Sequence, residues 1–281
     1  MKINQDTLSI LSMLDVSPGG KQVRIVEQLD RKTYSAVDKV LQALGGKWSR
    51  GQKAHLFDAS VTDRLDDVIT MGAVETARNT GFFETPVPIV RDMLKKARVS
   101  PGMRVLEPSA GTGRIVRELL AIKCEVVAVE RDPLRASKIA DDVASSQRLT
   151  VLTKDFLECH RLTIEVAMRG TATGASVMHG FDRVVMNPPF IGTQHLDHVR
   201  AAHAMLSSRG LLVSILPSSI DFRRDRKHTE FREWIANLGG EVSTMMPGSF
   251  KESGTSVATL MVVVPSVASR TLKLEGQRHV D

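Results

Sequence analysis

The chain has 281 residues, 42% of them hydrophobic and 25% charged, which is the composition of a globular protein and excludes a disordered or fibrous one. Its formal net charge of +6 permits a polyanionic partner without requiring one. No apolar run reaches the length of a membrane span and the N-terminal residues lack the apolar segment of a signal peptide, so we expect a cytoplasmic protein without a membrane anchor.

Residues 1–75 predict a small N-terminal α/β module. Alternating residues indicate a short strand over 23–29, and apolar residues at helical spacing follow over 33–44 until two glycines end the pattern. A second short strand is predicted over 54–57. Apolar residues at helical spacing over 61–71 then predict a helix that closes the module or links it to the next domain.

A basic turn lies within this module, where Lys47, Arg50 and Lys53 surround Trp48. Such a turn can grip phosphate and stack on a nucleic-acid base. A solvated turn beside a tryptophan of the core is at least as good an interpretation. Nucleic-acid binding by the module is therefore one of two hypotheses that the sequence leaves open.

From residue 86 onward, predicted helices and strands alternate. Helices are predicted over 86–99, 115–120, 196–206 and 229–238 and after Pro133, and strands over 103–107, 125–130, 149–153, 181–186, 210–216, 241–246 and 257–264. This order predicts an α/β fold with a doubly wound, mostly parallel, seven-stranded Rossmann-like sheet, in which ligands bind beyond the carboxyl ends of the strands. We expect the domain to span residues 76–270, with a loop-like segment near 160–180 and a tail over 271–281.

A glycine-rich turn follows the first strand of this domain, and it consists of Glu107, Pro108, Ser109, Ala110, Gly111, Thr112 and Gly113. Its glycines let a ligand lie against bare backbone. The spacing is not the dinucleotide pattern G-x-G-x-x-G, because no third glycine follows Gly113. Glu107 would repel a pyrophosphate at the following helix N-terminus and attract an ammonium group. The turn therefore favours a cationic, amino-acid-like ligand over a dinucleotide.

Acidic residues also follow the next two strands. Glu130 ends the second strand, where a carboxylate can accept hydrogen bonds from both hydroxyls of a ribose. Asp155 and Phe156 follow the third strand and suit the exocyclic amine and the flat face of an adenine. Any one of these acids alone is more simply a surface or helix-capping carboxylate. Three acids at successive strand ends converge on one crevice, which favours a binding site.

The fourth strand ends in Asn187, Pro188, Pro189 and Phe190. Two prolines stop the strand in a rigid turn. The turn presents an amide, carbonyl groups and an aromatic ring above the sheet, a combination that suits holding a planar amine. Considered alone, these four residues are equally well an ordinary turn.

In these residues and their order the chain resembles the class I S-adenosylmethionine-dependent methyltransferases, over about residues 81–264. The finer resemblance is to the DNA adenine-N6 amino-methyltransferases whose cofactor motif precedes the catalytic one. Thr85-Pro86 resembles a pair ahead of that group's glycine loop, and Phe250 stands where the group has a phenylalanine before the last strands. A short chain with an N-terminal module is also similar, more loosely, to the orphan enzymes of bacteriophages and plasmids.

The resemblance implies S-adenosylmethionine as cofactor and transfer of its methyl group to the N6 amine of adenine in DNA. The implied cofactor site comprises Thr85, Pro86, Glu107, Pro108, Ser109, Ala110, Gly111, Gly113, Glu130, Asp155 and Phe156. Within it Glu107 would approach the methionine portion, Glu130 the ribose, and Asp155 with Phe156 the adenine ring.

The implied catalytic residues are Asn187, Pro188, Pro189 and Phe190. Asn187 and the Pro188 carbonyl would accept hydrogen bonds from the target amine, while Phe190, together with Phe250, would sandwich a base flipped out of the helix.

A second basic cluster contains Arg223, Arg224 and Arg226, after the fifth strand. It is predicted to lie on the same rim as the site, where it could hold phosphates around the target base. A solvated charged loop is an interpretation of equal weight.

Two rival functions remain open from the sequence. RNA base or protein glutamine N-methyltransferases also use Asn-Pro-Pro followed by an aromatic residue. A non-catalytic nucleic-acid-binding or anti-restriction factor is the alternative of another class, and the complete set of chemical groups speaks against it. Cys124 and Cys159, like the histidines, lack metal-ligand spacing, so we expect buried free thiols and no metal.

Overall fold

A computed structural model describes residues 3–74, 83–142, 146–161, 180–253 and 257–267. These residues form two sheets, one of four strands and one of seven. The predicted domain boundary at residue 75, most of the loop near 160–180 and the tail over 271–281 lie outside the described residues. Within the described residues, no helix combines the length and the apolar character that crossing a membrane requires.

The N-terminal module packs helices against a small antiparallel sheet of order β1-β2-β4-β3. Its helices are α1 (Gln5–Leu11), α2 (Arg31–Ala43) and α3 (Thr62–Met71), and its strands are β1 (Asp15–Val16), β2 (Gln22–Arg24), β3 (Lys47–Ser49) and β4 (Ala54–Leu56). The strand predicted over 23–29 is shorter than expected. The first half of the predicted basic turn is strand β3, because its backbone pairs with β4 in register from Lys47 to Ser49.

The larger sheet has the order β10-β11-β9-β8-β5-β6-β7. Its strands are β5 (Arg104–Glu107), β6 (Glu125–Val129), β7 (Leu149–Leu152), β8 (Phe181–Met186), β9 (Leu206–Pro217), β10 (Glu241–Thr244) and β11 (Thr259–Pro265). The first five are parallel to one another, and β11 runs antiparallel to both of its neighbours, β9 and β10. The predicted doubly wound, mostly parallel seven-stranded sheet is thus confirmed.

Helices cover both faces of this sheet. They are α4 (Val87–Lys96), α5 (Arg114–Ala121), α6 (Pro133–Asp142), α7 (Gln194–His203), α8 (Ser219–Phe222) and α9 (Arg226–Asn237). Neighbouring residues of the central strand β5 belong to different cores, Val105 to the one under α4 and α5 and Leu106 to the one under α7 and α9. Both faces are therefore buried, which explains why these strands are almost wholly apolar.

The order in which strands are added to the sheet reverses next to β5. After β5 the sheet grows through β6 and β7 on one side, and β8 then starts the other side. In open α/β sheets such a switch point creates a crevice beyond the carboxyl ends of the strands. The ends of β5, β6, β7 and β8, where the predicted functional residues stand, border this crevice.

Candidate active site

The crevice consists of two adjoining cavities that share Phe83, Ser109 and Asn187. The larger encloses about 610 Å³ and the smaller about 270 Å³. Of the predicted residues, Pro108, Glu130, Asp155, Phe156 and Pro189 line the larger cavity, and Thr85, Glu107 and Ala110 line the smaller. The structure thus brings the three predicted acids to one crevice, divided between a wide and a narrow part.

The glycine-rich turn needs glycine at two positions. Gly111 and Gly113 have φ angles of 57° and 79°, a region that residues with a side chain rarely adopt. A Cβ at Gly113 would also come within 2.9 Å of Ile139 Cγ1, on α6. The Gly111 N–H donates to Glu130 Oε2 over 2.8 Å. This bond fixes the turn to the end of the neighbouring strand.

Glu107 is buried at the floor of the smaller cavity, with 2% of its surface exposed. Burial raises its pKa well above the ordinary value, and the charge of Glu130 adds to this, whereas the N–H of Val116 lowers it. Within the described part of the chain, its Oε2 has no hydrogen-bond partner. A buried carboxylate with a free acceptor atom fits a ligand that brings an ammonium group.

Glu130 is more heavily engaged than a free ribose acceptor would be. Its Oε1 accepts the Asp132 N–H over 2.8 Å and the guanidinium of Arg135 over 2.9 Å, and its Oε2 accepts the Gly111 N–H. The protein already occupies the acceptor positions of Glu130 Oε1. A ribose diol that binds this carboxylate can therefore donate only to the acceptor position that remains on Oε2. Arg135 itself lines the larger cavity, a contact that the sequence pattern did not predict.

Two flat rings border the larger cavity, together with Glu130 and Asp155. Phe156 follows β7 and is buried, and its ring centroid lies 5.7 Å from that of His198. Asp155 accepts the Leu157 N–H over 2.9 Å, so it also caps the turn that begins there. The pocket can thus hold a planar heterocycle between aromatic surface and an acidic edge. The place of His198 in the cavity wall became visible only in the fold.

Asn187 has its amide group fixed by the segment that precedes α4. Its Nδ2 donates to the Phe83 carbonyl over 3.1 Å and to Thr85 Oγ1 over 3.2 Å. Both amide hydrogens are therefore engaged, and this determines which way the amide points. The buried Oδ1 is left without a hydrogen-bond partner among the residues that the structure describes. An acceptor atom without a donor, in a residue that lines both cavities, fits an incoming amine.

The segment that holds Asn187 is itself tied to the glycine-rich turn. Glu84 forms an ion pair with Arg114 and accepts a hydrogen bond from Thr112. Arg114 also donates to the Thr85 carbonyl over 3.2 Å. Thr85, predicted to bind cofactor, thus contacts Asn187 directly. Pro86, at the N-cap of α4, lines neither cavity among the described residues.

Phe190 and Phe250 are both buried in the core that lies under α4 and α5. The Phe190 ring lies 6.4 Å from Phe83 and 6.1 Å from His195. Neither Phe190 nor Phe250 lines the two described cavities. In this state of the protein the two rings form part of the wall behind the site, and a stacking role requires one of them to become exposed.

Arg223 does not have the role that the sequence suggested for it. Its side chain is 8% exposed and forms ion pairs with Asp66 over 2.6 Å and Asp225 over 2.8 Å. Because its charge is neutralised and buried, we withdraw it as a phosphate ligand. Arg226 is exposed but paired with Glu230, and Arg224 is exposed. The basic cluster thus reduces to Arg224 and a partly neutralised Arg226.

Helix α3 of the N-terminal module contacts the loop that follows Phe190. Asp67 on α3 accepts the Gly192 N–H over 2.8 Å, and its neighbour Asp66 pairs with Arg223. Burial raises the pKa of Asp67, and the charges of Asp66 and Asp63 act in the same direction. The module is therefore connected to the loop of the predicted catalytic residues by partly buried polar contacts.

The donor and acceptor set fits the cofactor that the sequence suggested. The smaller cavity offers the unpaired Glu107 Oε2 to an ammonium group. The larger cavity offers Glu130 Oε2, Asp155 and the Phe156 ring to an adenosine. Asn187 stands where the two cavities meet. This is the arrangement expected when the reactive centre lies between an amino-acid portion and a nucleoside portion.

Comparisons with known proteins agree with this geometry. The family model for ribosomal RNA adenine dimethylase matches residues 82–279. A chloroplastic ribosomal RNA small subunit methyltransferase of Arabidopsis thaliana is 30% identical over 102 residues, which are 36% of this chain and 30% of that protein. The matched region thus spans less than a third of that relative.

Among solved structures, one assigned to the class I S-adenosylmethionine-dependent methyltransferases, from Listeria monocytogenes, has a TM-score of 0.50 at 13% identity. The match covers 92% of this chain and 78% of that one. An S-adenosylmethionine-dependent O-methyltransferase of Thermotoga maritima has a TM-score of 0.44 at 13% identity and covers 76% of this chain and 74% of its own. At such identities the likeness concerns the fold.

Proposed function

The chain belongs to the ribosomal RNA adenine dimethylase family, and from this premise we propose that it transfers methyl groups to the N6 amine of adenine in RNA. It is an S-adenosylmethionine-dependent methyltransferase with a Rossmann-like fold. The sequence alone favoured DNA and named an RNA base as an alternative. The family match supports the alternative better than the first choice, and the Arabidopsis relative, by its name, also acts on ribosomal RNA.

One structural observation supports amine methylation in particular, namely the unpaired Asn187 Oδ1. The lone pair of the adenine amine is delocalised into the ring, so the nitrogen is a poor nucleophile. An acceptor at Asn187 Oδ1, with the Pro188 carbonyl as the second, can draw the amine hydrogens out of the ring plane and localise the lone pair. Because Phe83 and Thr85 engage the other end of the amide, this acceptor is oriented before the substrate arrives.

The cofactor supplies an electrophilic methyl group when bound, and the chain's own residues place the amine next to it. As the new N–C bond would form and the bond between the methyl group and the cofactor's sulfur would break, positive charge would develop on the amine nitrogen, and the pre-oriented Asn187 Oδ1 would stabilise it. The extra proton on nitrogen can then leave to water, so no strong base is required. In-line placement supplies much of the remaining rate acceleration. A second methylation would use the single hydrogen that remains, and hence one acceptor.

The roles proposed for the cofactor residues follow the cavities. Glu107 holds the ammonium end, Glu130 accepts from the ribose through Oε2, and Asp155 with Phe156 holds the adenine. Phe190 remains a proposed stacking partner for the target base, with Phe250 behind it. Stacking would offset part of the cost of extruding a base, which is on the order of a few kcal/mol.

Methylation of DNA adenine is the second candidate, and one sequence observation favours it. The combination of Asn187, two prolines and Phe190, with Thr85-Pro86 ahead of the glycine-rich turn, resembles the DNA adenine-N6 group. Both candidates share the same chemistry, so the substrate polymer has to be determined directly.

The test incubates the protein with labelled S-adenosylmethionine and, in parallel, ribosomal RNA, genomic DNA and total protein. The proposal predicts N6-methylated or N6-dimethylated adenosine in digested RNA. Label confined to DNA would support the second candidate and overturn the first. Label confined to protein would overturn both.

A further inference from the structure

Trp48 lies at the open edge of the N-terminal sheet and not in its core. β3 is the last strand in the order β1-β2-β4-β3, so its outer backbone edge is unpaired within the described part of the chain. The side chain of Trp48 is exposed over 44% of its surface. The interpretation of this residue as a core tryptophan, left open by the sequence, is thereby excluded. A large flat ring on an open edge needs another explanation.

The indole of Trp48 is backed by a firmly held side chain. Trp48 pairs with His55 across the β3–β4 ladder, and the two ring centroids are 5.1 Å apart. His55 is fully buried, and its Nε2 is bound to Asp38 over 2.8 Å. His55, which contacts the indole of Trp48, is therefore held in place by Asp38, while much of the indole faces solvent. Such a ring is pre-organised for stacking and loses little side-chain entropy when a ligand binds.

Three cations lie within five residues of Trp48 in the chain. Lys47 precedes it on β3, and Arg50 and Lys53 lie in the turn that joins β3 to β4. All three are exposed, and no ion pair to any of them occurs within the described residues. The basic cluster at Arg223 and Arg226 differs in this respect, because those charges are paired with acids. Positive charge at the turn is thus available to an external anion.

We propose that Lys47, Trp48, Arg50 and Lys53 form a binding surface for single-stranded RNA. One base stacks on the indole, and the flanking phosphates lie against the three cations, which is how single strands are held without sequence preference. The choice of RNA over another single strand rests on the proposed function. A lone ring among charges is a poor apolar interface, so the observations favour a polyanion with flat bases over a protein surface.

The surface consists of residues separate from those of the crevice, and this gives it a distinct role. None of its four residues lines the two cavities that hold Glu107, Glu130 and Asn187. We therefore expect it to contribute to the affinity for the RNA strand and to leave the chemical step unchanged. Its removal should raise KM for a long RNA and leave kcat and cofactor affinity as they were.

Tryptophan fluorescence reports on this surface directly, because Trp48 and Trp234 are the two tryptophans of the chain. Trp234 packs against Phe231 and His203, with ring centroids 5.5 Å and 5.1 Å away. In a Trp234→Phe background the emission therefore comes from Trp48 alone. Titration with an unstructured single-stranded RNA of about fifteen nucleotides, without S-adenosylmethionine, should quench it by stacking.

Two substitutions separate stacking from charge. Trp48→Ala should weaken binding of the same RNA, followed by the anisotropy of a labelled strand, by about tenfold, whereas Trp48→Phe should retain most of the affinity. The slope of log affinity against log salt is negative, because salt weakens binding. Replacing Lys47, Arg50 and Lys53 by glutamine should make it less steep by about 2, since each phosphate contact on a single strand contributes about 0.7. The matched control replaces Lys95, Lys96 and Lys123, which are exposed on the methyltransferase domain, and should leave the slope unchanged.

The outcomes distinguish this proposal from the proposed function, since binding is measured without methyl transfer. Quenching by RNA together with a failure of RNA methylation would retain the surface and overturn the proposed function. Absence of quenching, equal affinity of Trp48→Ala and the parent, or binding of single-stranded DNA without any binding of RNA would overturn the surface. Equal salt slopes for the Lys47, Arg50 and Lys53 variant and for the control triple variant would also overturn the surface.

Discussion

Replacement of Asp67 by alanine tests whether the N-terminal module positions the catalytic loop. Asp67 on α3 accepts the Gly192 N–H over 2.8 Å, two residues beyond Phe190. The substitution removes the acceptor and leaves a partly buried N–H without a partner. A charged hydrogen bond of this kind contributes about 1.5–3 kcal/mol. If the loop geometry is needed in the transition state, kcat should fall by roughly 10- to 150-fold, since about 1.4 kcal/mol corresponds to tenfold.

The control variant is Asp67→Asn, which keeps an acceptor oxygen at the same place. Because burial and the neighbouring acids raise the pKa of Asp67, its charge opposes folding at neutral pH. The asparagine variant should therefore retain kcat within a few-fold and unfold at the same or a higher temperature. Cofactor affinity should be unchanged in both variants, because Asp67 does not line either cavity.

Steady-state methyl-transfer kinetics, with cofactor binding measured by calorimetry, distinguish positioning from a general loss of stability. The expected pattern is a low kcat for Asp67→Ala only, with an unchanged dissociation constant for S-adenosylmethionine. An unaltered kcat in the alanine variant would refute the positioning role. Equal losses in the alanine and asparagine variants would refute the hydrogen bond as its cause.

Three further changes have defined outcomes. Burial raises the pKa of Glu107, so this carboxyl keeps its proton to a higher pH than an ordinary glutamate does. At a pH where it is still protonated, cofactor binding should release that proton, and cofactor affinity should increase with pH until the raised pKa is passed. Calorimetry in two buffers of different ionisation enthalpy measures this release, and Glu107→Gln should abolish it. Thr85→Val removes one of two acceptors for Asn187 Nδ2 and should lower kcat by about fivefold, which corresponds to about 1 kcal/mol, while Thr85→Ser should retain the parent activity; equal activity of all three would contradict the orienting role. Arg223→Ala leaves Asp66 and Asp225 without their cation and should lower the free energy of unfolding by about 3 kcal/mol, measured by denaturant titration; a loss below about 0.5 kcal/mol would show that the ion pairs are not structural.

Much of the fold was predictable because the spacing of apolar residues within short segments indicates the helices and strands. The apolar strands β5, β6 and β8 were predicted to within a residue or two, and the parallel order followed from their alternation with helices. Where tertiary contacts decide, prediction was less accurate. The predicted helix over 196–206 ends at His203, because β9 already begins at Leu206 to pair with β8. The short helix α1 and strand β3 escaped prediction, since each is stabilised by packing on α2 or by pairing with β4.

The site was predictable in its residue types and less so in its contacts. Convergence of Glu107, Glu130 and Asp155 followed from their places at strand ends, because parallel strands bring those ends together. The partners that modulate them come from distant segments. Arg135 on Glu130 and Asp66 on Arg223 could not be inferred, since a charge in a sequence gives no sign of which opposite charge it meets. The same holds for the Asn187 amide group, whose Nδ2 donates hydrogen bonds to a segment about 100 residues earlier in the chain.

Nucleoside analysis of RNA treated with the parent protein and with Asn187→Ala tests the central claim most directly. We expect N6-methylated adenosine in RNA with the parent protein and none with the variant, although the variant still binds S-adenosylmethionine. The acceptor atom Asn187 Oδ1 would then be required for transfer and dispensable for cofactor binding. Methylated adenosine formed equally by the variant, or none formed by the parent in any RNA, would contradict the account.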